Sequence, residues 1–115
     1  MLTVSGKIKK WLNAIDCSRL TENVMYFLEN ENERNGRSEM QVFADELSYC
    51  ISCYNDNASS MYEDLEQAKY ILRKPKANCK QSDIIGAKME INKYKRMTYR
   101  YSQLKKAGYI GKWWK

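Results

Sequence analysis

Three observations predict an all-α fold in a single domain over residues 1–115. Apolar residues recur at spacings of three and four along most of the chain, the period of an amphipathic helix. One Pro and five Gly are too few for a turn-rich all-β protein. A chain of 115 residues that is 43% hydrophobic can bury one modest core. The pattern predicts a long antiparallel helical hairpin, about 38–73 against 82–107, with two shorter N-terminal helices. An aromatic, basic C-terminal tail follows at 108–115.

Ser5 is the expected N-cap of a first helix that runs to about Ile15, with Ile8, Trp11, Leu12 and Ile15 on one apolar face. A second helix is expected to start after Asp16 or Ser18, with Leu20, Val24, Phe27 and Leu28 as its face. It fades in ENENERNGR, where Asn35-Gly36 is a strong turn signal.

Ser38-Glu39-Met40-Gln41 reads as a capping box. From there Met40, Phe43, Leu47, Cys50 or Ile51, Tyr54, Ala58, Met61, Leu65, Ala68 and Leu72 make one stripe. Residues 55–60, NDNASS, are poor helix formers. The stripe nevertheless keeps its phase across them, and a loop ordinarily resets the phase. One helix over 38–73 is therefore expected, with a division into two as the alternative.

Pro75 lies in the connector RKPKANCKQ. Ser82 is the expected cap of the last helix, and Asp83 suits its N-terminal dipole. Ile84, Ala87, Ile91, Tyr94, Thr98 and Tyr101 repeat at helical spacing, and Met97 and Leu104 widen that face. Gly108 is placed to end the helix as its C′ residue. The short connector makes this helix antiparallel to the one before it.

The net charge of +6 conceals a division. Residues 1–72 hold 7 basic and 12 acidic side chains, whereas residues 73–115 hold 13 basic ones and only Asp83 and Glu90 as acids. Such segregation points to an acidic or phosphate-bearing partner for the C-terminal part, unless the two halves answer each other inside the hairpin. On a helical wheel Lys88, Lys95, Tyr99 and Lys106 lie together. Arg96 and Arg100 lie further round, opposite the apolar face, and Lys93 falls at its border next to Leu104. This surface suits phosphates, with Tyr99 as a stacking platform, or an acidic protein surface. In the tail GYIGKWWK, Tyr109, Ile110, Trp113 and Trp114 form either an anchor for a partner's groove or a plug for the chain's own core. The candidate binding residues are thus Lys88, Lys93, Lys95, Arg96, Tyr99, Arg100, Lys106, Tyr109, Lys112, Trp113 and Trp114.

Catalytic signatures are missing from the sequence. There is no His, the usual general base and metal ligand, and no phosphate-binding or nucleophile motif. Cys50 and Cys53 have CxxC spacing but lie inside a helical pattern. An all-cysteine zinc site would have to recruit Cys17 and Cys79 as well, so packed thiols are expected and neither metal nor cofactor is. No zinc finger, RNP-type strand or basic zipper region is visible. No run reaches the roughly 18 apolar residues of a membrane span, and Lys interrupts the N-terminal stretch where a signal peptide is apolar. A cytoplasmic protein without membrane contact is expected. Lys, Asn, Tyr and Ile, which have AT-rich codons, supply 40 of the 115 residues, a usage that suggests a low-GC bacterial host or one of its phages.

These features predict a non-catalytic binding protein that engages a nucleic-acid-processing complex, protein, ribonucleoprotein or DNA, as an inhibitor or regulator encoded by a phage or mobile element. Anti-CRISPR proteins are inhibitors of that kind, although no segment resembles a particular family. The alternatives are a stand-alone DNA- or RNA-binding protein and a coiled-coil module that forms a homodimer through the 38–73 stripe.

Overall fold

The structure is a computed structural model that describes residues 3–111. Among these residues it has five α-helices and no strand. They are α1 (Val4–Ile15), α2 (Ser18–Glu29), α3 (Glu39–Asn55), α4 (Ser60–Arg73) and α5 (Gln81–Lys106). Short 3-10 turns at Glu31–Arg34 and Lys76–Asn78 connect α2 to α3 and α4 to α5.

The helix ends follow local chemistry. Thr3, not Ser5, caps α1: its Oγ1 accepts from the Gly6 N–H at 3.0 Å, and Ser5 lies inside the first turn. Ser38 caps α3 as expected, its Oγ accepting from the Gln41 N–H at 3.1 Å. The other half of the capping box is not made. The Gln41 amide instead donates to Asp45 Oδ1 and to the Tyr109 carbonyl, each at 2.8 Å. Helix α5 begins at Gln81, with Lys80 at the N-cap and Ser82 already in the first turn. Its C-terminus closes in a Schellman arrangement around Gly108, whose φ is +90°. There the Gly108 N–H donates to the Lys105 carbonyl, and the Tyr109 N–H reaches back to Leu104.

The single helix expected over 38–73 is two helices. Asp56 leaves the helix in an extended conformation, and its Oδ1 accepts from the Ala58 N–H at 3.0 Å. Ser59 then caps α4 by accepting from the Met61 N–H. Short polar side chains that bond to nearby backbone compete with helix at this point, and here they prevail over the apolar phase. Ala58, a stripe position, lies exposed in the turn.

Helix α3 lies at the centre, packed against each of the other four helices. That explains its unusual burial: Val42, Phe43, Ala44, Leu47, Cys50 and Tyr54 are all sequestered, more than one stripe supplies. Ile8, Leu12 and Ile15 from α1 and Leu20 and Val24 from α2 complete one side of the core. Leu65, Met97, Leu104 and Ile110 complete the other. Along α5, contact moves steadily away from the connector. Ile84 neighbours Ile71, Glu90 accepts from the Tyr54 hydroxyl at 2.9 Å, and Tyr94 meets Tyr54 edge-on at 5.0 Å. Met97 and Leu104, which the sequence places at the margin of the α5 face, are buried, and α5 packs against α1 as well as α3.

Candidate anion-binding face between α1 and α5

The last turns of α1 lie beside the middle of α5, and two arginines hold them there. Arg96 donates from Nε and a terminal nitrogen to the Ile15 carbonyl, at 3.3 and 3.1 Å. A cation at this position answers both the unsatisfied carbonyl and the negative end of the α1 dipole. One turn on, the Arg100 guanidinium lies 4.3 Å from the centroid of the Trp11 ring. Phe43 lies against Trp11 too, with centroids 5.6 Å apart. Trp11 therefore packs against both Phe43 and Arg100.

Between the helices is a hollow of about 340 Å³, lined by Trp11, Ala14, Ile15, Lys95, Arg96, Tyr99 and Arg100. Its walls carry three cations and no carboxylate. Tyr99 is 61% exposed, so its ring is the open aromatic surface of the hollow. Lys106 is exposed further along α5. Lys7 and Lys10, also exposed, lie one helical turn before Trp11 and Ala14 on the same flank of α1. The basic rim thus spans two helices. A larger hollow of about 430 Å³ beside Met89 and Asn92 also borders Arg96, but it includes Asp16 and Glu90 and is of mixed charge.

The structure brings together four of the expected binding residues, Lys95, Arg96, Tyr99 and Arg100. It separates others from them. Lys88 lines a different cleft with Ile71, Leu72, Lys74 and Ile84. Lys93 pairs with Glu90 of its own helix at 3.2 Å. Tyr109 is 37% exposed, its carbonyl is held by Gln41, and its neighbour Ile110 is buried in the core. Lys112, Trp113 and Trp114 lie outside the described residues. Among the described residues, Lys88, Lys95 and Lys106 have no carboxylate within 4.0 Å. None of the three makes a direct ion pair with an acid of α3 or α4 among the described residues.

Sequence reasoning assigned Trp11 to the core and did not include Lys7 or Lys10 in the site. The available signal was their spacing: with Trp11 and Ala14 they form a row beside the buried Ile8, Leu12 and Ile15.

The four cysteines are free thiols, and among the described residues no three His, Cys, Asp or Glu side chains are grouped to hold a metal. Burial pushes the Cys50 thiol up to about 12, which makes it a poor nucleophile. Among the described residues no helix is long and apolar enough to cross a membrane. Of the stripe suggested for self-association, Phe43, Leu47, Cys50, Tyr54 and Leu65 are core residues, whereas Ala58 and Leu72 are exposed.

The chain matches no protein-family model, no curated protein and no solved structure.

Proposed function

We propose that this chain is a non-catalytic binding protein whose α1–α5 face engages an acidic or phosphate-bearing surface of a nucleic-acid-processing complex. The observation that carries the reading is the lining of the groove: Lys95, Arg96 and Arg100 converge beside an open Tyr99 with no carboxylate among them. In this reading α3, α4 and α5 serve as a long antiparallel hairpin that holds the basic helix at the surface. Residue usage rich in AT-coded amino acids supports a low-GC bacterial or phage origin, and in this reading the chain is a cytoplasmic inhibitor or regulator, anti-CRISPR-like in kind.

The test reverses lysines that make no ion pair among the described residues and leaves the two structural arginines intact. The Lys95→Glu, Lys106→Glu variant is compared with the parent by fluorescence anisotropy against labelled poly-glutamate, duplex DNA and single-stranded DNA over a range of salt. The parent should bind at least one polyanion, progressively more weakly as salt rises. The variant should bind it about tenfold more weakly or worse, with an unchanged melting curve. If the parent binds none, or the variant binds as tightly, this function is wrong.

A further inference from the structure

We infer that the α1–α5 groove binds single-stranded nucleic acid, with one unpaired base stacked on Tyr99 and the adjoining phosphates on Lys95, Arg96 and Arg100. This rests on the binding role proposed above and specifies its ligand.

Charge selects an anion. The groove has three cations and no carboxylate, and Lys7, Lys10 and Lys106 extend positive charge beyond it in both helices. The apolar content of the wall selects an anion that also has a flat apolar face. Trp11, Ala14, Ile15 and the Tyr99 ring line the same space as the cations. A duplex presents phosphates outward and keeps its base faces stacked, so it would leave these surfaces unused. An unpaired strand presents both, and base–aromatic stacking is the usual way such strands are held.

The two aromatic residues have different roles. Trp11 is half-buried and already in contact with Phe43 and the Arg100 guanidinium, so it is the less open of the two rings. Tyr99 is 61% exposed, with the Arg100 guanidinium 5.6 Å from its ring centroid. A base on Tyr99 therefore lies beside a guanidinium that reaches its phosphate. The hollow, about 340 Å³, is at the small end of ligand clefts and suits one base rather than a helix of nucleic acid. Arg96 uses Nε and one terminal nitrogen on Ile15, which leaves its other terminal nitrogen for a phosphate oxygen.

The test uses fluorescein-labelled oligo(dT) of 12 nucleotides, an abasic strand of the same length, a 12-base-pair duplex and poly-glutamate, titrated with the full chain at 0.1 M salt. Oligo(dT) should bind most tightly, with the abasic strand weaker by about tenfold, the contribution expected of one stacked base. Tyr99→Ala should weaken oligo(dT) binding by about tenfold without changing its salt slope, and Tyr99→Phe should stay within about twofold, because stacking does not need the hydroxyl. Tyr99 is a surface residue, and an unchanged melt will verify that Tyr99→Ala is folded. Equal binding of abasic strand and oligo(dT), or an unaffected Tyr99→Ala, overturns the single-strand assignment while the broader anion-binding role survives. Binding of poly-glutamate alone overturns it in favour of an acidic protein surface. Failure of every probe removes both.

Discussion

The Arg100 guanidinium lies 4.3 Å from the Trp11 ring centroid, and this contact joins the most basic helix of the chain to its N-terminal one. Five of the basic residues of α5 consequently fall into two groups. Arg96 and Arg100 support the fold, whereas Lys88, Lys95 and Lys106 do not. Arg100→Ala should lower unfolding free energy by about 1 kcal/mol through loss of the cation–π contact and side-chain packing. Arg96→Ala should cost about 1–2 kcal/mol through loss of its charge-assisted bonds to Ile15. Alanine at each of the three lysines should stay within about 0.5 kcal/mol of the parent. Urea unfolding followed by circular dichroism measures all five, and equal effects across them would contradict the division.

Tyr54 is nearly inaccessible at 1% exposure, and its hydroxyl donates to Glu90 Oε1. Burial and that bond together push its ionisation far above the ordinary range. Tyr54→Phe should destabilise by about 1–2 kcal/mol, because Glu90 loses a donor inside the α3–α5 contact. The tyrosine absorbance of the parent on alkaline titration should show one residue that ionises only when the chain unfolds. A Tyr54→Phe variant should lack that late step.

The cysteines should differ sharply in reactivity. Cys17 and Cys50 are buried, whereas Cys53 and Cys79 are half-buried. With its thiol pushed up to about 12, Cys50 at pH 8 is ionised in roughly one molecule in ten thousand. Brief treatment of the native chain with iodoacetamide at pH 8 should label Cys53 and Cys79 well before Cys17 and Cys50. Peptide mass spectrometry reads the order, and early labelling of Cys50 would show that α3 is not buried as described.

Glu46 should make stability depend on pH. Burial raises its carboxyl above the ordinary 4.5, Arg37 opposes the rise and Asp45 adds to it. The folded chain therefore holds this proton more tightly than the unfolded one. Its contribution is fully present below pH 4.5 and is lost as pH rises through the folded value. Glu46→Gln should therefore gain up to about 0.5 kcal/mol over the parent at pH 7. That gain should shrink as pH falls to about 3.5, below the ordinary 4.5, where Glu46 is protonated in both states. Urea midpoints for both proteins at the two pH values give the comparison, and a variant less stable at pH 7 would show that the carboxylate has a favourable partner.

Much of the fold was legible because it depends on neighbours in sequence. Ser38 and Gly108 were placed correctly as caps, since each depends on a bond within a few residues. The apolar faces of α1 and α2 were legible from period alone. The break at 56–59 was not, although the composition of NDNASS already favoured it. Phase continuity was the misleading cue, because a short turn can return the next helix in register with the same core. The site was half legible. Lys95, Arg96, Tyr99 and Arg100 were recognisable as a basic aromatic helix surface. Their arrangement as a groove depends on which flank of α5 receives α1, and that follows from tertiary packing of Trp11 and Ile15.

The paired hydrogen bonds from Arg96 to the Ile15 carbonyl would link anion binding in the groove to α1 docking. One guanidinium would then serve both the helix end and the anion. An anion that orders Arg96 lowers the entropy cost of docking α1, and a loosened α1 leaves the groove without its Trp11 wall. Occupancy should therefore slow amide exchange at the C-terminal turn of α1, and fraying of that turn should weaken binding.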